Sequence, residues 1–187
     1  MKTENISVSD GFMPADKLHF RRVCGCFPTG VTVATAIGDD GQPHGITLSS
    51  FTSVSMEPPL VLVCIDHHSQ MIQHLAVNSH FAINVLSNDQ QEVSLRFAKQ
   101  WENRFSGVPW RRGLSGAPLL DDTSAALECR VHQVFAAGDH LIIVGRVLAL
   151  SYTDRAPLIY LRSSYTTALQ SVSATSPELS HSATPGK

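Results

Sequence analysis

Eleven consecutive residues, Gly45–Ser55 (GITLSSFTSVS), carry six hydroxyl side chains, broken only by Ile46, Leu48, Phe51, Val54 and the glycine. Read as one strand, alternation sets Gly45, Thr47, Ser49 and Phe51 on one face and Ile46, Leu48 and Ser50 on the other. Small hydroxyls beside a glycine can hydrogen-bond a flat polar heterocycle and a phosphate without crowding the ring. A Thr/Ser-rich edge strand facing water has the same composition. Ser49 and Ser50 point apart on an ideal strand, so both reach one ligand only where the chain bends or bulges.

Other side chains offer related chemistry. Arg96 lies beside the apolar helical stripe Val93, Phe97 and Trp101. Its planar guanidinium suits bidentate phosphate binding, although a solvated helix arginine reads the same way. Lys99 is a weaker second cation. Ser69 stands at an expected helix start, where unpaired N–H groups attract anions. His140 follows Gly138-Asp139 and is either a solvated turn residue or an imidazole serving a site. Arg111, Arg112 and Arg155 are exposed-type arginines that could meet an extra phosphate. His67 and His68 lack further ligands at metal spacing, so no metal centre is expected. No Gly-x-Gly-x-x-Gly follows a strand, which argues against a Rossmann dinucleotide site.

The elements that must position these residues are mostly strands. A helix is expected over about 15–26, with Pro14 in its first turn and Phe20, Val23, Cys24 and Phe27 at helical spacing. Val31–Ile37 reads as a strand, Asp39-Asp40-Gly41 as a hairpin turn, and Gly45–Ser55 as the second strand, stopped by Met56-Glu57-Pro58-Pro59. Ile46 and Leu48 are expected to face the interior. Leu60–Ile65 is a buried strand, and Ser69 caps a helix with Met71, Ile72, Leu75 and Ala76 as its stripe. Phe81–Leu86 is a further strand, and Asn88 with Gln91 resembles a capping box. Residues 103–119 read as a loop or lid. Ala126–Ala136 and Leu141–Leu150 form a hairpin around Ala137-Gly138-Asp139, and Leu158–Leu161 is the last strand. Short strands of this kind favour a small closed barrel, which removes exposed edges.

Length suits one domain over 14–170, between an N-terminal arm (1–13) and a Ser/Thr/Pro-rich tail (171–187) expected to be disordered. A net charge of −2 leaves no basic stripe for nucleic acid. No apolar run reaches membrane-spanning length and no secretory leader is visible. Only 16% of residues are charged, which leaves apolar surface that an oligomer would cover. Cys24, Cys26, Cys64 and Cys129 match no zinc or thioredoxin spacing and read as buried, reduced thiols of a cytoplasmic protein.

Five segments in order, FPTGVTVATA, GITLSSFTSVSMEPPLVLVCI, FAINVLSNDQQEVSLRFA, then PLL with LEC, then GDH, resemble the short-chain flavin reductase family over about Phe20–Tyr165. The resemblance implies a mainly β fold, an FMN-binding Greek-key split β-barrel with short flanking helices. It implies a homodimer with flavin mononucleotide in a groove near the interface. It places Thr29 and Gly30 at the pocket rim, Thr47, Leu48, Ser49, Ser50, Phe51 and Ser53 along the flavin strand, and Ser50 among the phosphate or ribityl contacts. Many members carry Asn where this chain has Ser49. The resemblance sets Arg96 and Phe97 near the flavin phosphate, where Ser69 at its helix start could add an anion site, and His140 on the nicotinamide side, the one candidate catalytic residue. The implied activity is transfer of hydride from NADH or NADPH to FMN or FAD, with reduced flavin passing by diffusion to a partner monooxygenase. A flavin carrier or sensor without turnover, or a pyridoxamine-phosphate-oxidase-like enzyme on the same barrel, are the alternatives.

Overall fold

The computed structural model describes Phe12, Met13 and residues 15–99 and 103–167. Pro14, Trp101, the expected tail and most of the expected N-terminal arm lie outside these residues.

The main body is a seven-stranded antiparallel sheet. Its strands are β2 (Thr32–Ile37), β3 (Pro43–Leu48), β4 (Thr52–Met56), β5 (Pro59–Asp66), β6 (His80–Val85), β9 (Ala125–Ala137) and β10 (His140–Tyr152), in the order β3-β2-β6-β9-β10-β5-β4. A second sheet of three short strands contains β1 (Thr29–Gly30), β11 (Leu158–Leu161) and β12 (Ser164–Thr167), and β7 (Trp110–Arg112) pairs β8 (Pro118–Leu120). Helices α1 (Lys17–Cys24) and α2 (Gln91–Ala98) and a 3₁₀ turn at Gln70–His74 complete the fold.

Alternation built the sheet's core. One cluster contains Val61, Val63, Ile65, Phe81, Ile83, Val131 and Ile143, with Ile46, Leu48 and Phe51 packed on its margin. A second gathers Val31, Val33, Leu86, Phe97, Phe105, Leu120 and Leu158 beneath α2. Two glycines make room for rings. A Cβ on Gly145 would lie 2.6 Å from Phe81, and one on Gly45 would lie 2.7 Å from Phe97. The β9–β10 hairpin turns at Gly138, whose φ of +65° glycine accepts freely.

Several expectations change. Gly45–Ser55 is two strands, because the chain bends at Ser49 and β3 and β4 occupy opposite edges of the sheet. The first helix starts at Lys17, since Asp16 accepts N–H bonds from Leu18 and His19, both at 2.9 Å. Its apolar residues Leu18, Phe20 and Val23 are exposed. Ser69 caps a 3₁₀ turn of five residues, not an α-helix, accepting from Met71 N–H. The expected Asn88–Gln91 capping box is absent: α2 is preceded by Gln90, which makes no side-chain capping bond and instead accepts from Ser87 N–H through Oε1 at 3.1 Å. Residues 103–119 contain the β7–β8 hairpin, short of the last residue of β8, instead of being all loop, and β12 follows Leu161. Cys24 and Cys26 are exposed, whereas burial, then the Glu128 charge, pushes the Cys129 thiol up to about 12.

Candidate functional site

Strand register brings most of the hydroxyl-rich segment and its neighbours to one corner of the main sheet. Thr32 pairs Leu48, so Thr29 and Gly30, just before β2, lie toward the end of β3 that leads into Ser49. Ser49, Ser50 and Phe51 then cross from one sheet edge to the other. Ser50 Oγ donates to Cys64 O at 3.0 Å and accepts from Cys64 N–H at 2.9 Å, latching the crossing to β5. Two residues further along β5, Asp66 pairs His140, the first residue of β10. Ser69 N–H returns to Asp66 O at 2.9 Å, which places the 3₁₀ turn beside the same corner.

The hydroxyls here divide into two kinds. Those of Ser49 and Ser53 are exposed and make no hydrogen bond among the described residues. Those of Ser50 and Thr47 are already engaged. Thr47 Oγ1 donates to Ser94 O at 2.7 Å and ties β3 to α2. A free hydroxyl has donor and acceptor capacity for a ligand, whereas an engaged one must give up a bond worth about 0.5–1.5 kcal/mol. Leu48 contributes its side chain to the core margin and its carbonyl to Thr32 Oγ1.

His140 is half-buried, and its Nδ1 donates to Asp139 Oδ1 at 2.7 Å, since an ionised carboxylate can only accept. That leaves Nε2 as the nitrogen available to a ligand. The bond to His140, then its charge, holds the Asp139 carboxyl below its usual range. Asp66 is lowered chiefly by His68 N–H and its ring, with a smaller contribution from His140. Alternating imidazoles and carboxylates therefore line the β5 and β10 ends. Among the described residues no three His, Cys, Asp or Glu side chains converge as a metal site.

One expected contact is relocated. Phe97 is fully buried, packed on Gly45 and edge-to-face with Phe105 at 4.9 Å, and has no surface to offer a ligand. The close approach that Gly45 permits is to this ring and not to a ligand. Arg96 is half-buried on α2, and Nη1 donates to Ser106 O at 2.7 Å. Arg155 pairs with Asp122 at 2.5 Å and Asp89 at 3.6 Å.

A cleft of about 500 Å³ opens beyond the corner, bordered by Pro43–Gly45, the start of the 3₁₀ turn and residues 103–106 with Trp110. Sequence reasoning missed it, because Arg104 reaches Gly45 O (2.6 Å) across 59 positions. The Arg-Phe pair before a glycine at 107 was the available signal.

The hydroxyl-bearing crossing, the terminal histidine of the long hairpin and the adjoining cleft form a surface suited to a phosphorylated aromatic ring. Residues 24–169 match the flavin reductase like domain. The chain belongs to this family. As a flavin reductase-like protein it is 43% identical over 150 residues, 80% of its length, to the reductase subunit of a stachydrine N-demethylase from Rhizobium meliloti, of which it spans 65%. It is 40% identical to an NADH flavin reductase of Kitasatospora aureofaciens, covering 86% of this chain and 85% of that one. The chain spans about half to two thirds of the length of the first two curated relatives it matches. An NADH:FAD oxidoreductase of Streptomyces globisporus, solved with NAD and FAD fragments, superposes with a TM-score of 0.78 at 38% identity, covering 84% of this chain and 96% of that one.

Proposed function

We propose that this flavin reductase-like protein transfers hydride from NADH or NADPH to FMN or FAD and supplies reduced flavin to a partner monooxygenase. The observation that carries the proposal is that the bend with the unbonded Ser49 hydroxyl, the turn at Ser69 and His140 all lie by the Cys64–Asp66 end of β5, with the unbonded Ser53 hydroxyl further along the neighbouring edge strand β4. The relatives' names, reductase subunit and NADH flavin reductase, support the same activity.

The seven-strand order, with edge strands β3 and β4 joined by three residues, supports a sheet curled into a split barrel. Bound flavin would supply a redox-active ring that accepts the hydride. The chain's own part is alignment and charge stabilisation. Ser49 and Ser53 would hydrogen-bond the flavin, Gly30 would leave room at the rim, and Ser69 and Arg96 would attract its phosphate. His140 Nε2 would orient the nicotinamide, held in tautomer by Asp139. A homodimer fits the apolar side chains left uncovered on α1 and on Met56, Leu150 and Tyr152.

The test is steady-state oxidation of NADH and NADPH by purified protein with FMN, FAD or riboflavin. Turnover dependent on added flavin is expected. Flavin binding without turnover of either nucleotide would instead make the protein a carrier.

A further inference from the structure

Ser94 and Tyr165 carry hydroxyls that packing does not require. Ser94 is fully buried in the middle of α2, where alanine would suit the helix better and a serine hydroxyl competes for the backbone. A buried hydroxyl is tolerated there only when a partner satisfies it. Ser94 Oγ and Tyr165 Oη lie 2.8 Å apart and share a hydrogen bond. Tyr165 is half-buried on β12 and packs edge-to-face on Tyr160 at 5.2 Å, at the margin of the cluster beneath α2. Phenylalanine would make the same ring contact, so what the hydroxyl adds is the bond to Ser94.

That bond is one link in a circuit around the corner. Ser94 O accepts from Thr47 Oγ1 at 2.7 Å, so one residue of α2 holds β12 with its side chain and β3 with its carbonyl. From Tyr165 the circuit crosses to its pair Tyr160 on β11, and from Tyr160 to its pair Thr29 on β1, beside Gly30. It closes through β2, where Thr32 Oγ1 donates to Leu48 O at 3.0 Å, next to Thr47. The residues proposed to meet flavin hang on this circuit. Ser49 follows Thr47 by two positions, about 7 Å at strand rise. Arg96 follows Ser94 by two on the same helix. A helix of eight residues is too short to hold its place by propensity, so tertiary contacts must fix it. Thr47 and Tyr165 both do so through Ser94.

We propose that the Tyr165 hydroxyl is a positioning group for flavin. Through Ser94 it fixes α2 against β3, and this sets the Ser49 bend relative to Arg96, where ring and phosphate are to be met. The proposal rests on the flavin reductase reading. It adds a residue from the last strand, remote in sequence from the hydroxyl-rich segment, that acts on flavin without touching it.

The test uses the full chain, with FMN titrated by fluorescence quenching and thermal unfolding measured on the same proteins. Tyr165→Phe should weaken FMN about fivefold, the size of one neutral hydrogen bond, and lower Tm because Ser94 Oγ is left unpaired. Ser94→Ala combined with Tyr165→Phe removes both polar groups, so Tm should return close to wild type while FMN stays about fivefold weaker. A merely structural bond predicts that affinity recovers together with Tm. Steady-state kinetics should show a raised flavin KM, with kcat at saturating flavin and the NAD(P)H KM within about twofold of wild type. Thr47→Val cuts the circuit at its next link, so adding it to Tyr165→Phe should weaken FMN by much less than the product of the two single effects. The proposal is overturned by FMN affinity in Tyr165→Phe within about twofold of wild type, by joint recovery of affinity and Tm in the Ser94→Ala, Tyr165→Phe protein, by a loss of kcat with flavin KM unchanged, or by single effects that multiply. Failure of wild type to bind FMN overturns it together with the flavin reading. FMN bound without turnover of either nucleotide refutes the reductase activity alone, because affinity is read without turnover.

Discussion

Replacing Gly45 by alanine separates two roles for that glycine. If it exists to admit a ligand, a methyl group should weaken flavin binding and leave stability unchanged. The structure argues otherwise. The new Cβ would lie 2.7 Å from Phe97 Cε1, 2.9 Å from Phe97 Cδ1 and 3.3 Å from Ala34 O. Phe97 is fully buried and also packs on Phe105, so the ring has little freedom to retreat. Overpacking of this kind costs about 1–3 kcal/mol. For a chain of this size each kcal/mol lowers Tm by about 2–4 °C, giving a drop of roughly 2–12 °C for Gly45→Ala. Phe97→Leu should relieve the clash, so the double variant should be more stable than the sum of the single effects by at least about 0.5 kcal/mol. Thermal and urea unfolding of the four proteins, with flavin affinity measured on each, decides the matter. A Gly45→Ala protein with unchanged Tm and weakened flavin binding would refute the packing argument.

The corner makes further predictions. Ser50→Ala should cost about 1–3 kcal/mol by orphaning Cys64 N–H and O, with little change in flavin affinity. Ser53→Ala should do the reverse, weakening flavin and sparing Tm; urea unfolding and flavin titration distinguish them. His140→Ala should raise the NAD(P)H KM or slow hydride transfer several-fold while flavin affinity stays close to wild type, as stopped-flow kinetics would show. Glu128→Gln should destabilise by about 1.5–3 kcal/mol at neutral pH. The carboxylate accepts from Ser115 Oγ (2.5 Å), Ser115 N–H (2.6 Å) and Leu114 N–H (2.9 Å), and these bonds outweigh the burial that pushes its pKa up. Its folded pKa is thus below the unfolded one. The difference between wild type and variant should therefore be full above about pH 4.5 and vanish as pH falls through the lower folded value, measurable by urea unfolding across pH.

Alternation made the long strands legible, and Gly138-Asp139 marked their turn. The break inside Gly45–Ser55 was not legible, because alternation runs on through Ser49 while the bend depends on Ser50 meeting Cys64 fourteen residues away. The β7–β8 hairpin read as loop because its tip is held by Glu128 from β9, a contact with no local trace. Helical spacing found α1 but cannot say what covers its apolar side chains. At the proposed site, hydroxyl composition drew attention to the segment but could not tell free hydroxyls from engaged ones. Phe97 looked available because a buried stripe and a ligand-facing stripe share one spacing. Arg104 was missed because what distinguishes it is its reach to Gly45 O across 59 positions, and that appears only in three dimensions.

The crossing at Ser49–Phe51 also bears on how the chain assembles. β3 and β4 are close neighbours in sequence, yet five strands separate them in the sheet. The Ser50–Cys64 latch and the β4–β5 hairpin are local, but β3 reaches the same corner from the other side only when β2, β6, β9, β10 and β5 are aligned, so the complete corner belongs to the last stage of folding. Non-local pairing of this kind is slow. In refolding experiments most β-structure should therefore return before the ability to bind flavin, and partly folded chains should carry the hydroxyls without yet presenting a site.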